Sequence, residues 1–219
     1  MQQLPTFQYI THPNENFEDF SWINNLYEGG IEWIQLRIKE NHFNARYPNK
    51  NYKDFFIEKG KELSKICASK NILLTINDRV EWVNEIGANG THIGKEDISI
   101  SVAKKQLSSD AILGVTANNF EDILQLKNEQ IDYIGLGPFQ DTTTKDKEKL
   151  APTLGLAGYE KIIQQMNPTI STPIFAIGGI TEKDIVSLMK TGIYGIALSG
   201  YIFQAKHDID LIKRTIKTH

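Results

Sequence analysis

Two cationic side chains and one amide side chain occupy alternate positions near the end of one apolar segment of the chain. Gln35, Arg37 and Lys39 fall at every second position of IEWIQLRIK. Side chains two residues apart on a β-strand point to the same face, so these three would share one. Burying two cations against helices is costly, so we expect this face to form the wall of a cleft that binds an anion. The alternative is a charge cluster on the protein surface.

Carboxylates follow the next two apolar segments. Asp78 ends the segment ILLTIND, and Glu96 and Asp97 follow GTHIG. Asp residues often cap helices, which is one interpretation. The other is a Mg²⁺ site, because Mg²⁺ binds few protein carboxylates and completes its shell with water and phosphate oxygens. Beside the cations of residues 35–39, such a site would suit a pyrophosphate.

Hydroxyls and glycines follow the remaining apolar segments. Thr116 lies in GVTAN, and three threonines at 142–144 precede Lys145 in DYIGLGPFQDTTTK. All of these side chains can donate hydrogen bonds to phosphate oxygens. Gly178 and Ser199 lie near the ends of the last two segments, and glycines let a ligand approach backbone N–H groups closely. We therefore expect a second anion site, suited to a monophosphate.

The segments that must position these groups alternate in kind. Eight short runs are almost continuously apolar, which is typical of parallel strands covered on both faces. They span residues 7–12, 31–38, 72–78, 90–94, 111–117, 132–139, 173–179 and 195–202. Amphipathic segments with helical spacing lie between them. This alternation predicts a parallel sheet with right-handed crossovers.

Eight strand–helix units in 219 residues match the length of a closed (βα)8 (TIM) barrel. We therefore predict an α/β protein with this fold, formed as a single domain by residues 1–219. An open doubly wound sheet is the alternative, but no G-x-G-x-x-G follows the first strand. In (βα)8 barrels the chemistry lies at the C-terminal ends of the strands. The groups described above all fall there, so the fold would gather them into one site.

Composition narrows the class of protein. Apolar residues make up 40% of the chain, and no apolar run reaches the ~18 residues of a membrane helix. The formal net charge of -3 gives no overall attraction to nucleic acid. The N-terminus lacks a secretory signal pattern, and the single cysteine, Cys67, excludes an internal disulfide. These features predict a cytoplasmic protein that binds neither nucleic acid nor membrane, and they leave open whether it forms a homo-oligomer.

No protein nucleophile is evident from the sequence. The histidines, at positions 12, 42, 92, 207 and 219, form no H-E-x-x-H pair, and no Ser-His-Asp set is visible. His92 lies within the strand segment GTHIG and is interpreted as structural. Cys67 lies in a helical segment and is interpreted as a small buried apolar residue.

Six motifs, in order, resemble those of the thiamine-phosphate synthase family. They are QLRIK (35–39), NDRV (77–80), GANGTHIGKED (87–97), DYIGLGPFQDTTTK (132–145), AIGGI (176–180) and GIALSG (195–200). The resemblance runs from the second strand to the eighth and implies a (βα)8 barrel. It also implies a Mg²⁺-dependent transferase that joins hydroxymethylpyrimidine pyrophosphate to a thiazole phosphate and releases pyrophosphate.

The resemblance further implies which residues would form the site. The pyrimidine pyrophosphate would be bound by Gln35, Leu36, Arg37, Ile38, Lys39, Asn77, Thr116 and Lys145. Mg²⁺ would be held by Asp78 and Asp97. The thiazole phosphate would be bound by Thr142, Thr143, Thr144, Gly178, Leu198 and Ser199. Catalysis would depend on stabilising the negative charge that develops on the leaving pyrophosphate. The residues implied for this role are Arg37, Lys39, Thr116 and Lys145.

Two positions depart from the family pattern, and two other functions are alternatives. Thr116 stands where the family usually has serine, and Asn118 stands where it usually has histidine. A related thiazole tautomerase would handle neither pyrophosphate nor metal. A non-catalytic phosphate-binding barrel would have no use for metal carboxylates. Asp78 and Asp97 occur together with the TTTK loop, and this combination favours the synthase.

Overall fold

Eight parallel strands form a closed barrel in the computed structural model, which describes residues 3–141, 151–166, 171–204 and 209–218. The strands are β1 Phe7–Ile10, β2 Trp33–Leu36, β3 Leu73–Asn77, β4 Gly90–Ile93, β5 Ile112–Ala117, β6 Tyr133–Leu136, β7 Ile174–Ile177 and β8 Gly195–Leu198. Each strand pairs with the next, and β8 closes the barrel against β1, with Phe7 opposite Ile196. The predicted (βα)8 barrel is confirmed, and the open sheet is wrong.

Helices follow the strands along the chain. Within the described ranges they are α1 Trp22–Glu28, α2 Glu40–Arg46, α3 Tyr52–Ser69, α4 Val83–Ile86, α5 Ile100–Gln106, α6 Phe120–Leu126, α7 Gly155–Met166, α8 Glu182–Lys190, α9 Gly200–Gln204 and α10 Ile209–Lys217. A 3-10 turn at Val80–Trp82 precedes α4. None of these described helices combines the length and the apolar character that crossing a membrane requires.

The sequence pattern misses two short helices, α2 and α9. The segment predicted as a strand at 195–202 ends at Leu198, because Gly200 already begins α9. The helical spacing of apolar residues in NFEDFSWINNLYEG (16–29) predicts a helix over that segment, but the first helix begins only at Trp22. Phe17 and Phe20 precede it and are nevertheless buried, so the pattern reports burial correctly and the helix boundary wrongly.

Side chains alternate between the two faces of the barrel wall. Outward residues such as Ile34 belong to the main hydrophobic core, together with Cys67 of α3, where burial raises the pKa of the thiol to about 12. Inward, Trp33, Tyr133 and Phe175 pack edge to face with ring centroids between 4.9 and 5.4 Å apart. These three rings, called here the aromatic plug, fill the N-terminal end of the interior.

Beyond the aromatic plug the interior turns polar. Gln8, Gln35, Thr75 and His92 are all buried there. The Trp33 indole donates a hydrogen bond to Thr75 Oγ1 at 3.1 Å, which joins the plug to this polar layer. Polar groups therefore replace apolar ones as the barrel is followed toward the C-terminal ends of its strands.

Candidate active site

A cleft of about 1070 Å³ opens at the C-terminal ends of the strands. Its walls come from the loops that follow the strands, as (βα)8 barrels generally arrange their sites. The predicted residues that line it are Gln35, Arg37, Lys39, Asn77, Asp78, Asp97, Thr116, Gly178, Leu198 and Ser199. The structure thus brings together predicted groups contributed by β2, β3, β4, β5, β7 and β8.

The wall that follows β2 keeps the predicted alternation. Gln35 is buried and lines the cleft, as does Arg37, which is 9% exposed. The backbone N–H of Arg37 donates to Thr11 Oγ1 at 2.8 Å, which fixes the chain just beyond the last strand residue. Leu36 and Ile38 belong instead to the main hydrophobic core. The structure therefore does not bring their side chains into the cleft.

The end of β3 supplies an amide and a carboxylate. Asn77 Oδ1 accepts a hydrogen bond from Gln35 Nε2 at 2.9 Å. Asp78 has a left-handed backbone with φ of 65°, and its N–H donates to the His92 carbonyl at 2.9 Å. Its carboxylate forms an ion pair with Lys39. A non-glycine residue in this conformation is held there by its surroundings, a feature common at functional sites.

Asp97 supplies a second carboxylate after β4. Its Oδ2 accepts a hydrogen bond from the Gly94 N–H at 2.6 Å. Although much of the residue is exposed, desolvation of the carboxyl group and the nearby Asp78 carboxylate raise the pKa of Asp97, while the Gly94 N–H and Lys39 act in the opposite direction.

Two anions that destabilise each other are stabilised by a cation bound beside them. Across the described residues, His, Cys, Asp and Glu side chains gather in no group of three that could hold a metal ion. A pair of carboxylates, Asp78 and Asp97, still fits Mg²⁺, since that ion usually takes one or two protein carboxylates and fills its shell with water and phosphate oxygens.

Thr116, near the end of β5, is linked to His92 on β4. His92 Nε2 lies 2.9 Å from Thr116 Oγ1, and Nδ1 lies 3.0 Å from the Tyr133 hydroxyl. His92 also lines the cleft, although its position within a strand segment predicts a structural role. Strand register was the missing signal, because Asn77 pairs with His92 across β3 and β4 and paired residues point to the same face.

At the ends of β7 and β8, the backbone N–H groups of two glycines and a serine have no acceptor among the described residues. Gly178 and Gly179 have positive φ of 93° and 69°. A Cβ at Gly179 would lie 2.6 Å from the Asp141 carbonyl oxygen, so the close approach of these loops requires glycine. Among the described residues, no group accepts a hydrogen bond from the N–H of Gly178, Gly179 or Ser199. Such free N–H groups form a concavity suited to an anion.

The sequence of this chain is similar to those of known proteins. A family model described as thiamine monophosphate synthase matches residues 7–202. The chain belongs to the thiamine monophosphate synthase family. A thiamine-phosphate synthase of Bacteroides fragilis is 40% identical to it over 213 residues, which are 96% of this chain and 98% of that protein. One of Flavobacterium psychrophilum is 41% identical over 211 residues, 96% and 97% of the two chains.

Solved structures of related proteins share the barrel. A thiamine phosphate pyrophosphorylase from Pyrococcus furiosus matches with a TM-score of 0.75 and 26% identity, over 98% of this chain and 94% of that one. Another, from Bacteroides thetaiotaomicron, matches with a TM-score of 0.60 and 15% identity, over 97% and 96%, a likeness of fold alone. The resemblance to the thiamine-phosphate synthase family that the six motifs indicate is confirmed.

Asn118, where the resemblance to the family predicts a histidine, is held from two sides. Its Nδ2 donates to the Gly137 carbonyl, and its backbone N–H donates to Asp122 Oδ2 at 2.8 Å. The other oxygen of Asp122 lies 2.7 Å from Lys95 Nζ. Asn118 and Lys95 both line the cleft. Lys95 is a cation that the sequence does not predict for the site, and its contact with Asp122 holds it beside the cleft.

Four residues predicted for the thiamine monophosphate synthase site lie outside the described ranges. They are Thr142, Thr143, Thr144 and Lys145. The described residues on either side, Asp141 and Ala151, both line the cleft. The assignments of the four remain predictions.

Proposed function

We propose that the chain synthesises thiamine phosphate from hydroxymethylpyrimidine pyrophosphate and thiazole phosphate. The observation that carries the proposal is that one cleft is surrounded by cations, a carboxylate pair and N–H groups that have no acceptor among the described residues. Relatives named thiamine-phosphate synthase, which match nearly the whole chain, support it. The enzyme is accordingly a transferase acting on two small phosphorylated substrates.

Asp78 and Asp97 would hold Mg²⁺, a role supported by their proximity and by the raised pKa of Asp97. When bound, the ion would neutralise negative charge on the pyrophosphate oxygens. Lys39 contacts Asp78 and lines the cleft, so it lies within reach of both the carboxylate and a bound anion. We expect it to orient Asp78 in the free protein and to bind pyrophosphate in the complex.

The side chains of the cleft would stabilise the leaving pyrophosphate. In a dissociative substitution the bond between the pyrimidinylmethyl carbon and the pyrophosphate oxygen breaks, and its electron pair leaves with the oxygen. The groups proposed to meet that charge are Arg37, Lys39, Thr116 and Lys145. Arg37 is buried and its backbone is fixed by Thr11, so little reorganisation is needed when the charge develops. The thiazole nitrogen supplies the electron pair of the new C–N bond, so the protein supplies no nucleophile.

The thiazole phosphate would bind at the ends of β7 and β8. The N–H groups of Gly178, Gly179 and Ser199 have no acceptor among residues 3–141, 151–166, 171–204 and 209–218 and could donate to the phosphate, and Leu198 ends the strand beside them. Thr142–Thr144 are proposed to add hydroxyl donors. Two anion sites within one cleft would hold the thiazole nitrogen near the pyrimidinylmethyl carbon, which replaces a bimolecular encounter with a positioned one.

We also propose that residues 1–219 form one catalytic domain in the cytoplasm, acting on small molecules rather than on nucleic acid or membranes. The barrel closes between β1 and β8, and its own loops form the cleft. Both observations support a single domain whose own loops form the site.

A product assay tests the function. The purified protein, given the pyrimidine pyrophosphate, the thiazole phosphate and Mg²⁺, should form thiamine phosphate and an equal amount of pyrophosphate. Reactions that lack one substrate are the controls. Failure to form thiamine phosphate above background would refute the proposal. Isomerisation of a thiazole phosphate without the pyrimidine would indicate the tautomerase instead, and binding without turnover would indicate a sensor.

A further inference from the structure

A chain of polar contacts crosses the barrel interior from the aromatic plug to the cleft. The Trp33 indole lies 3.1 Å from Thr75 Oγ1, and the Thr75 side chain contacts the Tyr133 hydroxyl. That hydroxyl lies 3.0 Å from His92 Nδ1, and His92 Nε2 lies 2.9 Å from Thr116 Oγ1. We call these five residues the interior relay. The first four are buried, and Thr116 lines the cleft.

The barrel wall makes room for the interior relay at two glycines. A Cβ at Gly135 would lie 2.9 Å from His92 Cε1, and a Cβ at Gly114 would lie 2.1 Å from the Tyr133 ring. Glycine within a strand often marks such a close approach. The rings of His92 and Tyr133 are therefore packed against backbone, which fixes their orientation.

Trp33, the first residue of the interior relay, determines which groups donate and which accept hydrogen bonds along the relay. An indole N–H can only donate, so Thr75 Oγ1 accepts from Trp33 and keeps its own hydrogen for another acceptor. Burial raises the pKa of Tyr133, while its contacts with Gln8 and Thr75 act in the opposite direction. Tyr133 therefore remains a phenol with one hydrogen to donate, and His92 Nδ1 lies at hydrogen-bonding distance.

We propose that the interior relay sets the imidazole tautomer of His92 and thereby the direction of the Thr116 hydroxyl. With Nδ1 accepting from Tyr133, a neutral His92 carries its hydrogen on Nε2 and donates to Thr116 Oγ1. The hydrogen of Thr116 is then free to point into the cleft. Tyr133 and His92 are positioning residues, and Thr116 is the group that touches the substrate.

The direction of the interior relay determines which kind of substrate atom Thr116 binds. A hydroxyl that already accepts from His92 offers a donor, which suits a pyrophosphate oxygen. The reverse order would present an oxygen lone pair and would suit an N–H group of the substrate. This inference rests on the proposed function for the identity of the anion, whereas the tautomer of His92 does not depend on it.

The tautomer can be measured by NMR on the ¹⁵N-labelled full chain without substrates. Nε2 of His92 should be protonated and Nδ1 bare, two states with well separated ¹⁵N shifts, and His92→Gln identifies the signals. Tyr133→Phe removes the donor to Nδ1 and should shift the ring toward the other tautomer. Tyr194→Phe is the matched control, because it removes a hydroxyl that donates to the Leu4 carbonyl at 2.6 Å. It should leave the His92 signals unchanged.

Kinetics show whether the tautomer acts through Thr116. Thr116→Val should lower kcat/KM about 10- to 100-fold, as expected for a lost hydrogen bond to a charged group, and Tyr133→Phe about 3- to 10-fold. Thr116→Ser keeps a hydroxyl and should retain more activity than Thr116→Val. Adding Tyr133→Phe to Thr116→Val should cause no further loss, because its effect passes through Thr116.

A wild-type His92 protonated on Nδ1 would overturn the proposal, and so would a tautomer that Tyr133→Phe leaves unchanged. Additive kinetic losses in the double variant would overturn the route through Thr116. If Tyr133→Phe does not fold, Thr75→Val breaks the interior relay one step earlier and is expected to move the same signals. A protein that makes no thiamine phosphate would refute the proposed function, while the NMR measurement would still decide the tautomer.

Discussion

Asp78 is the residue on which most constraints of the site converge. Its backbone is left-handed and its carboxylate pairs with Lys39. Together with the larger effect of desolvation, its charge raises the pKa of Asp97. Asn, like Asp, tolerates the left-handed region better than other residues with a Cβ. Asp78→Asn therefore removes the charge without adding backbone strain, whereas Asp78→Ala would change both.

We expect Asp78→Asn to lower kcat roughly 100-fold or more, the scale of losing one principal electrostatic contact in an active site. The Mg²⁺ concentration that gives half-maximal rate should rise, because one ligand has lost its charge. Steady-state rates across a Mg²⁺ series measure both effects. The control is Asp132→Asn, since Asp132 accepts from the Leu113 N–H at 2.8 Å and does not line the cleft. An unchanged Mg²⁺ dependence in Asp78→Asn would count against the metal assignment.

At the scale of single residues, the sequence predicts what is local and misses what depends on packing. Alternation along β2 is enough to find Gln35 and Arg37, because side-chain direction on a strand follows from spacing alone. His92 contacts Tyr133 only because β4, β5 and β6 lie in register through Gly114. Lys95 is placed by a carboxylate on α6. Spacing along the chain does not encode either contact.

The segment between β1 and α1 is tied to the rest of the barrel by a buried carboxyl group. Glu15 is 7% exposed and accepts a hydrogen bond from the Tyr9 hydroxyl. Its backbone carbonyl accepts from Arg46 of α2 at 2.6 Å. Burial raises the pKa of Glu15, against smaller opposing effects of the hydrogen bonds from Tyr9 and Asn16 and of the Arg46 charge. The folded state therefore holds this proton more tightly than the unfolded chain does.

The ordinary pKa of a glutamate is 4.5, and the pKa of Glu15 in the folded protein is higher. Because of Glu15, the free energy of unfolding should therefore fall as the pH rises from the ordinary pKa through the folded-state pKa. Glu15→Gln lacks this titration, so the unfolding free energy of the variant minus that of the wild type should increase with pH across the window. Chemical denaturation in buffers on both sides of it measures the difference.

Glu18→Gln is the matched control in the same segment. Glu18 is exposed, and its hydrogen bond with Lys50 lowers its pKa, so any pH trend of this variant should have the opposite sign. Because exposed ion pairs contribute little, that trend should also be small. A difference for Glu15→Gln that stays flat with pH would show that burial does not perturb Glu15.

At the scale of elements, the sequence predicts the type and order of the helices and strands but not the residues at which they begin and end. Every strand lies within its predicted segment, because continuous apolar runs mark strands buried on both faces. Residues past the last paired position stay buried, as Ile38 does after β2, so the apolar pattern continues beyond the strand. The short helices α2 and α9 each bury one described residue, Phe43 and Ile202, which is too little to produce a helical period.

For the whole molecule, polarity changes along the barrel axis. The aromatic plug fills one end, a buried polar layer follows, and charged side chains surround the cleft at the other end. An anion therefore meets donors only where the strands end. A chain with a net charge of -3 can still bind pyrophosphate, because the charges that matter are local.

Binding at the cleft should stabilise the entire barrel. A ligand that binds only the folded state stabilises it by about 2.7 kcal/mol at 100 times its Kd, which raises the midpoint of thermal unfolding by roughly 5–10 °C for a chain of this size. We expect inorganic pyrophosphate with Mg²⁺ to produce such a rise, since pyrophosphate is a product of the proposed reaction. Pyrophosphate with a chelator should produce a much smaller one, because Asp78 and Asp97 would repel it.

Asp78→Asn separates the contribution of the ion from that of the cations. With one carboxylate neutral, pyrophosphate alone should stabilise this variant more than it stabilises the wild type, and the additional gain from Mg²⁺ should shrink. Asp132→Asn, whose carboxyl group lies outside the cleft lining, should behave as the wild type does. Equal stabilisation of the wild type with and without Mg²⁺ would contradict the role of the two carboxylates. It would assign the binding of pyrophosphate to the cations of the cleft alone.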